Sequence, residues 1–146
     1  MNLCGGRWMK RQNEIAKLTG RAVKVRPSQQ TMRVEGVGKG SQECTGDALV
    51  PICLKSDHGP KPDLLYEASF IKDSDIPALL GLDTLRRRRA VLDCYNGIMY
   101  EIAEGDYEIK MPTGSAKYSL EAAESGHWML PCSDWPETAK HRKALL

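Results

Sequence analysis

The chain has 146 residues, 41% hydrophobic and 27% charged, with a formal net charge of +2; this is ordinary for one soluble globular domain and names no partner by charge. Such a length buries roughly two-thirds of the surface that the unfolded chain exposes, enough for a single modest core. No apolar run reaches the about 20 residues of a membrane span, and Met1 to Gly20 has no apolar leader core, so an intracellular, cytoplasmic protein with no membrane partner is expected.

Charge is unevenly placed. Residues 1–40 hold nine Lys/Arg against two Asp/Glu, a local +7 that leaves −5 for the remainder; a solvated basic face is the expected reading, and a polyanion site the alternative. The five cysteines, Cys4, Cys44, Cys53, Cys94 and Cys132, are odd in number and include no Cys-x-x-Cys pair. That argues against a disulfide framework, and His58, His127 and His141 do not stand at zinc spacing from any of them. They read as reduced, mostly core residues, and no metal or cofactor is expected.

In chain order, residues 7–18 place Trp8, Ile15 and Leu18 near helical spacing and stop before Thr19-Gly20, which predicts a short amphipathic helix or turn. Val23 and Val25 alternate with Lys24 and Arg26 until Pro27 breaks a strand. Thr31 to Glu35 alternates again and enters Gly36-Val37-Gly38-Lys39-Gly40, whose glycines at period two suit a bent hairpin tip. Ala48 to Leu54 reads as a strand in which Pro51, lacking a donor, predicts an edge or bulge. A polar loop from Ser56 to Asp63 leads to a strand over Leu64 to Ile71. Tyr95-Asn96-Gly97 between Ala90–Cys94 and Ile98–Ile102 is the strongest hairpin signal. A further strand is expected over Tyr107 to Met111, ending at Pro112-Thr113-Gly114. Residues 113–146 read as an irregular or briefly helical tail after a domain spanning 1–112.

Between these elements lies Pro77-Ala78-Leu79-Leu80-Gly81-Leu82-Asp83-Thr84-Leu85, followed by Arg86 to Arg89. Leu79-Leu80 reads as a buried strand, Gly81 as a tight exit, and Asp83 or Thr84 as the N-cap of a short helix whose arginines suit its C-terminal end. Four consecutive arginines on one short helix point in several directions, so a dedicated phosphate site is the weaker alternative to a packed, solvated helix.

The order of these segments resembles the retropepsin-like aspartic proteases of retroviruses and retrotransposons, over roughly residues 3–111. The most specific part is Ile76 to Asp93, similar to that family's apolar-apolar-Gly-x-Asp segment, helix and closing strand; the Gly36 to Gly40 hairpin resembles its flap. The resemblance implies an all-β fold: a small closed acid-protease-type barrel with a glycine-rich flap hairpin and one short helix. It further implies peptide hydrolysis by water held between two aspartates that share a proton, each in an Asp-Thr/Ser-Gly turn, one turn per subunit of a homodimer. Gly36, Val37, Gly38, Lys39 and Gly40 would close over an extended peptide or polyprotein substrate, and Leu80, Gly81 and Asp83 would brace the cleft floor.

The catalytic turn itself is absent. Asp83-Thr84 is followed by Leu85, Asp73-Ser74 by Asp75, and both lie after the flap, whereas the family's catalytic turn precedes it. Asn2 to Trp8 resembles the strand that follows that turn. The chain is therefore expected to hold no catalytic residue: a fragment, a mis-started chain or a decayed copy of an aspartic endopeptidase. The alternatives are a non-catalytic peptide-binding module that adds a ligand strand and a basic nucleic-acid-binding protein; against the latter, Trp8 is the only aromatic residue before Tyr66, and no specific nucleic acid is expected.

Overall fold

The computed structural model describes residues 1–36, 40–133 and 135–136, with the backbone alone at Thr45. Residues Met1–Ile102 and Ala103–Leu146 form separate compact units.

In the first unit a four-stranded sheet is built in the order β1-β4-β3-β2, from β1 (Leu3–Gly5), β2 (Lys24–Val34), β3 (Gln42–Ser56) and β4 (Gly59–Ile71). β2, β3 and β4 form an antiparallel meander, and β1 runs parallel to β4 with Leu3 beside Ser69 and Gly5 beside Ile71. The fold is mostly β, as the strand pattern predicts, and this order has β1 and β2 as its first and last strands. Two breaks expected in the sequence are absorbed rather than terminal. Pro27 lies inside β2, where the register shifts before Met32, and the polar loop expected at Ser56 to Asp63 is largely β3–β4 ladder closing at Ser56 opposite Gly59. Pro51 is tolerated because β2 pairs with β3 only as far as Leu49, so among the described residues one edge of β3 is without a strand there.

Strand alternation divides the sheet into two faces. Ala48, Val50, Tyr66, Ala68 and Cys4 form a buried cluster with Met9 of α1 (Gly6–Lys17), and Trp8 packs against it. The Trp8 and Tyr66 rings meet edge to face, with centroids 5.7 Å apart. The helix falls where the spacing over residues 7–18 predicts a short helix or turn, and with it the fold has two helices where the resemblance implies one. Its buried residues are Gly6, Met9 and Ala16, not Ile15 and Leu18, which are exposed. On the opposite face Leu3, Cys44 and Ile71 form a second cluster with Met32, Val34 and Ile76. Only Cys4 and Cys44 are core residues; Cys53, Cys94 and Cys132 are exposed. Burial, then the neighbouring Cys44, pushes the Cys4 thiol up to about 11, so it is a packing residue rather than a nucleophile.

After β4 the chain turns at Asp73, which has φ 60, and passes back along β1. Gly5 donates to the Ile76 carbonyl at 2.8 Å and Arg7 to that of Ser74 at 3.0 Å. Gly5 has to be glycine here because a Cβ would overlap the Ser74 carbonyl. Leu3 and Leu79 then exchange two backbone hydrogen bonds, 3.2 and 2.8 Å. This single bridge replaces the buried strand expected at Leu79-Leu80, whose residues are 40% and 43% exposed. Helix α2 (Leu82–Arg87) follows; Gly81, not Asp83 or Thr84, occupies its N-cap and no side chain caps it. β5 (Ala90–Asp93) and β6 (Ile98–Glu101) form the hairpin expected around Asn96-Gly97, with Asp93 accepting from the Asn96 backbone at 3.0 Å.

In the second unit, residues 107–111 are not a strand, although their alternation predicts one. The expected irregular tail contains a short hairpin, β7 (Glu121–Ala122) with β8 (Trp128–Met129).

The 72–76 turn is tied to α1 by Arg7 and Arg11, which donate to the two oxygens of Asp75 at 2.9 and 3.1 Å. The Arg11 and then the Arg7 hydrogen bond hold the Asp75 carboxyl below its ordinary range. A lowered carboxyl contributes stability above its unfolded value and loses it as pH falls through the folded one. Asp75→Asn should therefore lower Tm slightly at about pH 7, with the gap to wild type closing toward about pH 3; thermal unfolding across that range checks both the sign and the window.

Candidate functional site

The face of the sheet opposite α1 carries a cleft of about 410 Å³ lined by Met1, Asn2, Arg26, Asp47, Glu67, Ser69, Asp83 and Arg87 among others. Register explains how distant residues meet. Arg26 of β2 pairs with Asp47 of β3, which pairs with Ser69 of β4, so the three lie side by side across the sheet. Glu67 stands two residues before Ser69 and shares its face. The remaining wall comes from the start of the chain and from α2.

Asp47 is the organising carboxylate. It accepts from Ser69 Oγ at 2.7 Å and Ser28 Oγ at 3.3 Å, and Arg26 Nε lies 3.8 Å away. Arg26 also pairs with Glu67. Asn2 spans the cleft, donating from Nδ2 to the Glu67 carbonyl and accepting at Oδ1 from the Gly81 amide, both at 2.9 Å. The Met1 amino group lies 3.2 Å from Asp83 Oδ2. Each of the three carboxylates is thus committed to a cation, the reverse of the carboxylate-against-carboxylate contact that makes two acids share a proton.

The expected floor residues are partly assembled. Gly81 presses on the first residue so closely that a Cβ would overlap the Met1 carbonyl. Asp83 lines the cleft, whereas Leu80 is exposed. In the expected flap, Gly36 and Gly40 flank the β2–β3 connection with φ 81 and 70, and Val37, Gly38 and Lys39 lie outside the described residues. The ladder runs from Asp47 to Gln42 before that connection begins, roughly 17 Å along the strand. Sequence reasoning missed Asn2, Arg26, Asp47, Glu67 and Ser69. The available signal was the period-two partner of each core residue: Asp47 precedes the buried Ala48, and Glu67 and Ser69 flank the buried Ala68.

Among the described residues, no group of three or more His, Cys, Asp and Glu side chains converges as a metal site would, and no helix is long and apolar enough to cross a membrane. Comparison with family models, curated proteins and solved structures finds no match.

The arginine run is divided among structural tasks. Arg88 donates to both oxygens of Glu101 on β6 at 3.0 and 3.2 Å, and Arg87 lies 3.4 Å from the Thr84 hydroxyl. Arg89 has φ 50 and its carbonyl accepts from Ile102. The two bonds to Glu101 hold the Arg88 side chain to β6. Replacing Arg87 and Arg88 with Gln should change duplex-DNA affinity by less than tenfold, below about 1.4 kcal/mol; a titration at physiological salt that finds a larger loss would restore the nucleic-acid reading.

Proposed function

We propose that these 146 residues form the scaffold of a retropepsin-like aspartic peptidase half-site that lacks its Asp-Thr/Ser-Gly turn and is inert by itself. The observation that carries the reading is the contact between Asn2–Leu3 and Leu79–Gly81. The resemblance assigns the first segment to the strand after the catalytic turn and, of the second, Leu80 and Gly81 to the cleft floor; the two segments are more than seventy residues apart in sequence, yet exchange backbone hydrogen bonds at Leu3 and Leu79 and a side-chain hydrogen bond from the Gly81 amide to Asn2. The finer fold assignment, a closed acid-protease-type barrel with a flap at Gly36 to Gly40, belongs to the same proposal. So do a peptide or polyprotein substrate, a second copy of the chain to complete the site, and a cytoplasmic location.

In this mechanism two aspartates, one from each copy, hold a water between them; one takes its proton while the other protonates the departing amide. The residues present would supply the surroundings. Gly81 permits close backbone approach, Asn2 fixes the strand against it, and the Arg26–Glu67–Asp47 network meets polar parts of a bound peptide. A second reading, a peptide-binding module without catalysis, draws on the cleft carboxylates being already paired with cations.

A chain extended by an apolar strand ending in Asp-Thr-Gly directly ahead of Asn2 should cleave a peptide library, best in mild acid, where one carboxyl is protonated and its partner is not. A statine-type analogue, whose hydroxyl takes the place of the attacking water, should block it. The extension also removes the Met1 ion pair with Asp83, which is exposed and worth little. Inhibitor-sensitive cleavage by the unextended chain would sink the proposal; silence from a folded, dimeric extended chain would favour the binding module.

A further inference from the structure

The chain has three asparagines, Asn2, Asn13 and Asn96, and the fold treats the last of them differently. Asn2 precedes Leu3, whose amide is held by the Leu79 carbonyl, and its own side chain is bonded at both ends. Asn13 precedes Glu14 inside α1 and accepts from the Val23 amide. Asn96 alone precedes a glycine. Gly97 lies between β5 and β6 at φ 66, with nothing within 4 Å of where a Cβ would stand, and among the described residues its amide makes no hydrogen bond. Both loop residues are exposed, so water reaches them.

An amide nitrogen so placed can attack the side-chain carbonyl of the residue before it. The Gly97 nitrogen bonds to Asn96 Cγ while the Cγ–Nδ2 bond breaks; the proton from Gly97 goes to the departing nitrogen, which leaves as ammonia, and a cyclic succinimide remains. Water then opens the ring. Addition at Cγ gives an aspartate at this position; addition at the main-chain carbonyl gives an isoaspartyl linkage, in which the backbone runs through Cγ. No reagent but water is consumed. A side chain on residue 97 would crowd the approach, and glycine has none.

Asp93 restrains the step. Its Oδ2 accepts from Asn96 Nδ2 at 2.7 Å and its Oδ1 from the Asn96 backbone amide at 3.0 Å, so the side chain has to release Asp93 before it can turn onto Gly97. Those hydrogen bonds, the side-chain one first, hold the Asp93 carboxyl below its ordinary range. After the reaction the ionised Asp93 faces a second carboxylate where it had a donor, and the restraint becomes a repulsion. Asp93 pairs with Ile98 at the loop end of the β5–β6 ladder, so the repulsion falls on the rung that closes the hairpin.

We infer that Asn96 is a site of spontaneous deamidation, restrained by Asp93, whose conversion loosens the β5–β6 hairpin. The inference goes beyond the peptidase reading and uses none of its residues.

Incubating the full chain in warm, reducing buffer beside a synthetic peptide of residues 91–99, followed by peptide mapping, tests it. The fragment holding Asn96 should gain the mass of an amide turned to an acid and show an isoaspartyl product, about threefold more slowly than the peptide because the Asp93 bond has first to open. The fragments holding Asn2 and Asn13 should stay unchanged. Asp93→Ala should remove the lag, and Asn96→Gln, whose carbonyl stands one methylene further from the Gly97 nitrogen, should stay intact. Asn96→Asp, which mimics the product, should speed amide exchange along β6 about threefold; adding Asp93→Asn exchanges donor and acceptor and should restore protection. Asn96 intact when the peptide has fully converted, equal conversion at Asn2 or Asn13, an Asp93→Ala chain no faster than wild type, or an Asn96→Asp chain that exchanges as slowly as wild type would each overturn the inference. None of these readouts depends on cleavage, so their failure is separable from failure of the peptidase proposal.

Discussion

Strand β1 is hydrogen-bonded along both of its edges at Leu3. On one side β1 runs parallel to the end of β4; on the other Leu3 exchanges two backbone bonds with Leu79. The Tyr66 hydroxyl, buried beneath, lies 2.8 Å from the Leu3 carbonyl and 2.9 Å from that of Leu79. The one proton of this hydroxyl goes to either of two backbone carbonyls, each of which already accepts the other segment's amide, so Tyr66 adds a further tie across the Leu3–Leu79 pair. Burial first, then the neighbouring Cys4, pushes the phenol well above its ordinary range. The remaining contacts follow from this junction. Gly5 has to be bare to let the 74–76 turn past, Gly81 has to be bare to meet Met1, and α2 is launched from Gly81 at a fixed place beside the sheet.

The same junction builds the cleft. Because β1 is short and wedged, Asn2 at its start can reach both Glu67 of β4 and Gly81 ahead of α2. Because strand faces alternate, the face opposite α1 presents Arg26, Asp47, Glu67 and Ser69 in adjacent registers while the residues between them pack under Trp8 and Met9. Core and site are thus the two sides of one ladder. A change that slipped β3 by one residue would exchange them, putting Asp47 into the apolar layer at the cost of burying a charge.

Much of the first unit is legible in the sequence, and the failures share a cause. The hairpin at Asn96-Gly97, the helix after Gly81 and the β3 and β4 strands are set by local chemistry: turn residues, period and breakers. Pro27 and the Ser56 to Asp63 stretch were misleading because a long antiparallel ladder tolerates a bulge and a missing donor that a single strand would not. Ile15 and Leu18 look like a helix's buried stripe, yet the sheet meets α1 through Met9 and Ala16, a choice made by packing and not by spacing. The pairing of Leu3 with Leu79 cannot be read locally, since only the fold brings residues so far apart into register. The cleft carboxylates were missed because a polar residue on a strand looks solvent-facing until its neighbours across the sheet are known.

Replacing Tyr66 with Phe removes only the shared hydroxyl and keeps the ring against Trp8, so it isolates the junction from general packing. Denaturant unfolding should show a loss of about 0.5–1.5 kcal/mol, and amide hydrogen exchange should speed up first at Leu3, Gly5 and Leu79. If instead Tyr66→Phe unfolds at the wild-type denaturant concentration and those three amides stay protected, the wedge is not what holds the sheet and the cleft together.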